Sequence, residues 1–121
     1  MPLKVESITF DTADPDTLAD WWARATDGTI NPVAQGFFVI VNAPRGPQLA
    51  FQKVDDPTPG KNKVHIDFVA PDMDAEVKRL VDLGATETGR HEFGADFQWV
   101  VLADPDGNAF CVTTEELNDA G

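Results

Sequence analysis

The chain has 121 residues, enough for one domain with a real core, since two independent cores would each lie near the size where folding becomes marginal. Hydrophobic residues make up 42%, and 9 basic residues stand against 21 acidic ones for a net charge of −12, which argues against disorder and leaves no basic surface for nucleic acid or an anionic membrane. A single cysteine excludes an internal disulfide, no stretch approaches the about 20 apolar residues of a membrane span, and MPLKVESITF lacks the pattern of a secretory signal, so a cytoplasmic protein is expected.

Ile8 and Phe10 alternate with Ser7, Thr9 and Asp11, the period-2 pattern of a strand with one apolar face. Asp14-Pro15-Asp16 then offers a capping aspartate beside a proline suited to a first helical turn, and Leu18, Trp21, Trp22 and Ala25 follow at helical spacing. Phe37–Val41 and Gln48–Gln52 read as hairpin strands, and Asp55-Asp-Pro-Thr-Pro-Gly-Lys-Asn-Lys63 reads as a polar connection broken by prolines and glycine.

The same order of features then returns. Ile66 and Phe68 alternate with His65 and Asp67, and Asp72 or Asp74 caps a second helix with Val77, Leu80 and Val81 as its apolar stripe and Gly84 as its stop. Phe97–Leu102 and Ala109–Thr113 read as strands, Arg90-His91-Glu92 as a polar connector with a solvated histidine, and residues 114–121 as a frayed tail. Laying residues 7–14 over 65–72 matches Ile8 with Ile66, Phe10 with Phe68 and Asp14 with Asp72; laying 43–46 over 104–107 brings Gly46 onto Gly107. The chain is thus read as a duplicated unit, with one module at 3–54, a second at 62–114 and a linker at 55–61 inside a single domain.

With His65-Ile-Asp-Phe, Asp72, the following Glu76–Ala85 and Val100-Val-Leu-Ala-Asp-Pro-Asp-Gly-Asn108 in view, the sequence resembles the vicinal oxygen chelate superfamily, which includes glyoxalase I, bleomycin-resistance proteins, fosfomycin-resistance enzymes and extradiol dioxygenases. The resemblance runs from Val5 to Thr113. It implies an α+β fold of two tandem βαβββ modules whose mostly antiparallel sheet curves into a cup with the helices outside, a ligand or metal inside the cup, and a homodimer.

The sheet face away from the helices is then the candidate site. Alternation puts Ser7 and Thr9 on that face in the first module and His65 and Asp67 in the second. Metal-dependent relatives carry a His or Gln at the start of the first strand of each module and a Glu in the last. Here those positions hold His65 and Ser7, then Cys111 and Ala50, with Gln52 two residues further along. Only His65 matches the expected set, so no full metal site is expected. A mixed His65/Cys111 pair helped by Gln52 remains as a candidate for zinc or a softer ion.

His65 and Asp67 are the candidates for acid/base work, because an imidazole is the side chain suited to proton transfer near neutrality. A Cys111 nucleophile activated by His65 would lack an identifiable orienting group, Asp67 being two residues along the strand. Trp99 shares a strand face with Phe97 and Val101, and alternation leaves open whether that face lines the cup; if it does, Trp99 is a flat wall for a ring or a cation.

The expected function is therefore the binding of a small organic molecule by Ser7, Thr9, Gln52, His65, Trp99 and Cys111, as in the bleomycin-resistance branch, with no cofactor required. The alternative is a glyoxalase-like lyase or isomerase using a divalent metal on His65. An interaction module with a filled cup is a third class.

Overall fold

Asp14 and Asp72, superposed by the internal repeat, do the same job. Each is the N-cap of a helix, with φ of −138° and −139°, and each side chain accepts a hydrogen bond from the backbone N–H three residues on, Thr17 and Ala75 respectively. The computed structural model describes residues 5–59, 62, 65–93 and 97–114. The chain divides into two compact units, Met1–Pro59 and Gly60–Gly121.

The first unit runs β1 (Ser7–Thr12), α1 (Pro15–Thr26), β2 (Thr29–Ala34), β3 (Phe38–Asn42), β4 (Gln48–Lys53). Its sheet has the order β1-β4-β3-β2, with β1 parallel to β4 and the other pairs antiparallel. The second unit repeats this with β5 (Ile66–Ala70), α2 (Met73–Leu83), β6 (Thr86–Phe93), β7 (Phe97–Ala103) and β8 (Ala109–Thr114), in the order β5-β8-β7-β6. Each unit is a βαβββ module, and the fold is α+β, with two helices and eight strands among the described residues in two mixed, mostly antiparallel sheets.

Each helix covers one face of its own sheet. In the first unit Leu18, Trp21 and Trp22 are buried from α1, and Val39, Val41, Leu49 and Phe51 from the strands. Phe10 bridges the layers, its ring 5.5 Å from Trp22 and 5.0 Å from Phe51. In the second, α2 buries Met73, Val77 and Leu80, and β7 and β8 bury Val100, Leu102, Phe110 and Val112. Each such side chain removed from water contributes roughly 1.5–3 kcal/mol before entropy is charged against it.

The structure corrects the sequence reading in three places. Val81 is 41% exposed and Met73 takes its place in the α2 stripe, because the buried positions follow an i, i+4, i+7 spacing that turns residue 81 out of register. Strands β2 and β6 carry little apolar alternation and escape a periodicity search. Both are edge strands, and β2 is exposed throughout with Pro32 at a register shift, where a missing N–H costs the ladder nothing. Thr114 closes β8, and its hydroxyl accepts from the Met73 N–H at 3.2 Å rather than fraying; residues 115–121 lie outside the described ones.

The repeat extends to turns. Gly46 and Gly107 precede β4 and β8 with φ of 84° and 90°, a left-handed backbone that side chains disfavour. Among the described residues no helix is long and apolar enough to cross a membrane.

Candidate functional site

Strand alternation leaves each sheet one face without a helix. In the first unit it carries Ser7, Thr9 and Asp11, all exposed, which pair with Gln48, Ala50 and Gln52 of β4. Ala50 is buried at 1% exposure while Gln52 is exposed. This face is polar at both ends and offers hydroxyl and amide groups, which are weak donors for a metal.

The second unit is chemically richer. Register alone sets out two rows across its uncovered face. One runs Gly89, Val101, Cys111, Asp67; the next runs His91, Trp99, Thr113, Val69. Trp99 therefore lies on the same face as His65, Asp67 and Cys111, which decides the orientation that alternation left open.

In the first row Asp67 sits directly opposite Cys111 in the parallel β5–β8 pair. His65, two residues before Asp67, points from the same face, and its Nε2 lies 3.2 Å from Asp67 Oδ1. The expectation that Asp67 stands too far from His65 to orient it is thus corrected: strand neighbours two apart are separated by about 7 Å at the backbone, and the long imidazole closes the gap. One donor atom from each of His65, Asp67 and Cys111 lies within 4.8 Å of the others. His65 and Asp67 are solvent-accessible, at 47% and 73% side-chain exposure, whereas Cys111 is buried at the floor.

The second row is aromatic. His91 stacks on Trp99 with ring centroids 5.4 Å apart and planes at 29°, and Phe97 meets Trp99 at 5.4 Å and 37°. His91 was expected to be solvated in a connector. It is exposed, as expected, but it is a strand residue in contact with an indole rather than part of a connector, because β6 pairs with β7 from Thr86 to Phe93 and sets His91 against Trp99. The polar run Thr-Glu-Thr-Gly-Arg-His-Glu gives no apolar signal for this; only the Gly89 gap beside it hints at a close approach. Beside this row opens a concavity of about 450 Å³, lined among others by Gly89, His91, Val101, Ala103 and Ala109.

A buried carboxylate shapes the turn that feeds β8. Asp104, 4% exposed, accepts from the backbone N–H groups of Asp106 and Asn108 at 2.9 and 2.8 Å and from the Asn108 side-chain amide. It fixes where β8, and hence Cys111, begins.

Residues 7–113 match a protein-family profile described as glyoxalase-like domain. Among solved structures, the chain is similar to a glyoxalase/bleomycin resistance protein/dioxygenase family enzyme from Burkholderia phytofirmans PsJN, at 16% identity and a TM-score of 0.77 over 90% of this chain and 96% of that one. A glyoxalase/bleomycin resistance protein/dioxygenase superfamily member from Sphaerobacter thermophilus is 24% identical, with a TM-score of 0.72 over 94% and 98% of the two chains. A lactoylglutathione lyase from Agrobacterium tumefaciens is 17% identical, with a TM-score of 0.71 over 98% of both chains. No curated protein matches the chain. At such identities the likeness to solved structures is one of fold.

Proposed function

The chain belongs to the glyoxalase-like domain family, and from that premise we propose that it binds a small organic molecule on the uncovered sheet face of its second unit, seating a planar or cationic part against Trp99. The observation that carries this reading is the row of His91, Trp99 and Phe97 lying beside an open concavity on the face that also bears His65, Asp67 and Cys111. An indole face attracts rings and cations alike, and a few polar groups at its border fix orientation. Ser7, Thr9 and Gln52 lie on the corresponding helix-free strands of the first unit. The net charge of −12 favours a cationic ligand, as a bleomycin-type resistance protein would take, and disfavours polyanions. The reading has a cytoplasmic homodimer whose partner is the small molecule.

The family's metal-dependent members set the comparison for a cofactor. The donor set that the resemblance implies does not fit this chain: Ser7 supplies a hydroxyl, Ala50 no donor, and Cys111 a sulfur where a carboxylate is expected. Ligand binding is therefore proposed without that full site. A second reading, a glyoxalase-type lyase or isomerase, is favoured by one observation, the 3.2 Å approach of Asp67 to His65 Nε2. That carboxylate orients the imidazole for moving a proton at a bound substrate carbon.

The test is titration of the purified protein with a panel of aromatic cations and neutral aromatic metabolites, followed by tryptophan emission in wild type and Trp99→Phe. A saturable change lost in Trp99→Phe is expected. Silence across the panel, or a change that survives the substitution, overturns the reading.

A further inference from the structure

We infer that His91 is an internal plug of the ring-binding site: its imidazole occupies the face of Trp99 that an organic cation would take, and its positive charge holds it there. The inference rests on the reading that Trp99 seats the ligand, and it adds the residue that decides when a cation enters. Three observations carry it. The imidazole lies 5.4 Å from the Trp99 ring at an interplanar angle of 29°, inside the distance of about 6 Å over which a ring face attracts a cation. His91 borders the hollow of about 450 Å³ and Trp99 does not, so from the hollow the imidazole stands in front of the indole. Gly89 gives the imidazole its berth, since a Cβ there would come within 3.0 Å of His91 Nε2. Because His91 is exposed on β6, the last strand of its sheet, its side chain swings into solvent without breaking a strand pair.

Charge sets the strength of the plug. Imidazole is the side chain that gains a proton between about pH 8 and pH 5. As imidazolium it is itself the cation on the indole and repels a second one; uncharged, it stacks weakly and yields. Protonation of His91 and binding of an organic cation therefore oppose each other, so affinity falls in acid and binding expels a proton. Among the described residues, the two rows that face His91 carry Cys111 and Asp67 as their titratable groups, with His65 beside Asp67. Asp67 stands three strands away, about 14 Å at the usual strand spacing, beyond the screening length of about 8 Å at physiological salt. On β6 itself Arg90 and Glu92 alternate to the other face, where Arg90 pairs with Asp74 of α2 and with Glu87. Asp106 neighbours Gly107 in the lining of the hollow.

Two measurements test it. Ligand-free protein is titrated from about pH 8 to about pH 5, the imidazole range, and Trp99 emission is taken as the difference between wild type and Trp99→Phe. A quenching step that His91→Gln lacks is expected, because imidazolium quenches a stacked indole more strongly than imidazole does. Benzyltrimethylammonium, whose charge does not change with pH, is then titrated by calorimetry at both ends of that range. Wild type should bind it at least about twofold more weakly in acid, the factor to which one exposed cation–π contact corresponds, and should release a proton on binding. His91→Gln keeps every carboxylate, so it should lose this pH dependence and bind more tightly than wild type in acid. Absence of the emission step, wild-type affinity that does not change with pH, or loss of binding in His91→Gln overturns the plug and leaves the ring-binding reading standing. Absence of binding by both proteins at the alkaline end overturns both.

Discussion

His91 lies almost flat against Trp99, and Gly89 is what makes room for it. A Cβ built at Gly89 would come within 3.0 Å of His91 Nε2, the far end of a side chain that is free to swing. Gly89→Ala should therefore displace the imidazole and leave the sheet standing, with a stability change within about 1 kcal/mol, the scale of a cross-strand pair. The check pairs thermal unfolding with quenching of Trp99 emission, using Trp99→Phe to subtract the buried Trp21 and Trp22. An unaltered Trp99 signal would mean that the stack does not form in solution.

The helix caps give a prediction in acid. Hydrogen bonds from the Thr17 hydroxyl and backbone N–H hold the Asp14 carboxyl below its usual range, and the Arg79 guanidinium does the same for Glu76. Native values lower than unfolded ones mean that these groups contribute stability above the ordinary carboxylate range and lose it as pH falls through the native value. Asp14→Ala should cost about 1 kcal/mol near neutrality. The gap from wild type should close on acidification, read by urea unfolding at several pH values; a gap constant with pH would refute it.

Burial separates two phenylalanines of the first unit. Phe51 is wholly buried under Phe10, whereas Phe37 is 65% exposed. Phe51→Ala should destabilise by roughly 3–5 kcal/mol through lost contacts and a cavity. Phe37→Ala should stay within about 0.5 kcal/mol. Denaturant midpoints compare the two directly.

The repeated turns before β4 and β8 differ in their first side chain, Ala43 against Asp104, as well as in Arg45 against Asp106. Gly46 and Gly107 share the left-handed backbone, but Asp104 ties its turn with four hydrogen bonds and its counterpart Ala43 has no oxygen to offer. Asp104→Ala should cost about 1–3 kcal/mol by leaving part-buried N–H groups without their acceptor. Gly107→Ala has open space around the new carbon, so its cost of about 1–2 kcal/mol is backbone strain alone.

Local rules wrote much of this protein directly into its sequence. Asp14, Pro15 and Asp72 mark helix starts because orphan N–H groups need an acceptor; Ile8, Phe10, Ile66 and Phe68 mark strands because alternate side chains face a core; and the two halves betray each other by repeating these signals in order. Polar edge strands escaped, since β2 and β6 bury almost nothing and so impose no apolar rhythm on their residues. Pairing across the sheet was equally silent. That Asp67 meets Cys111, that His65 reaches back to Asp67, and that His91 lies on Trp99 depend on register between segments distant in the chain. Register follows from packing the whole apolar set of each sheet under its helix, a cooperative choice that no short stretch of residues makes by itself.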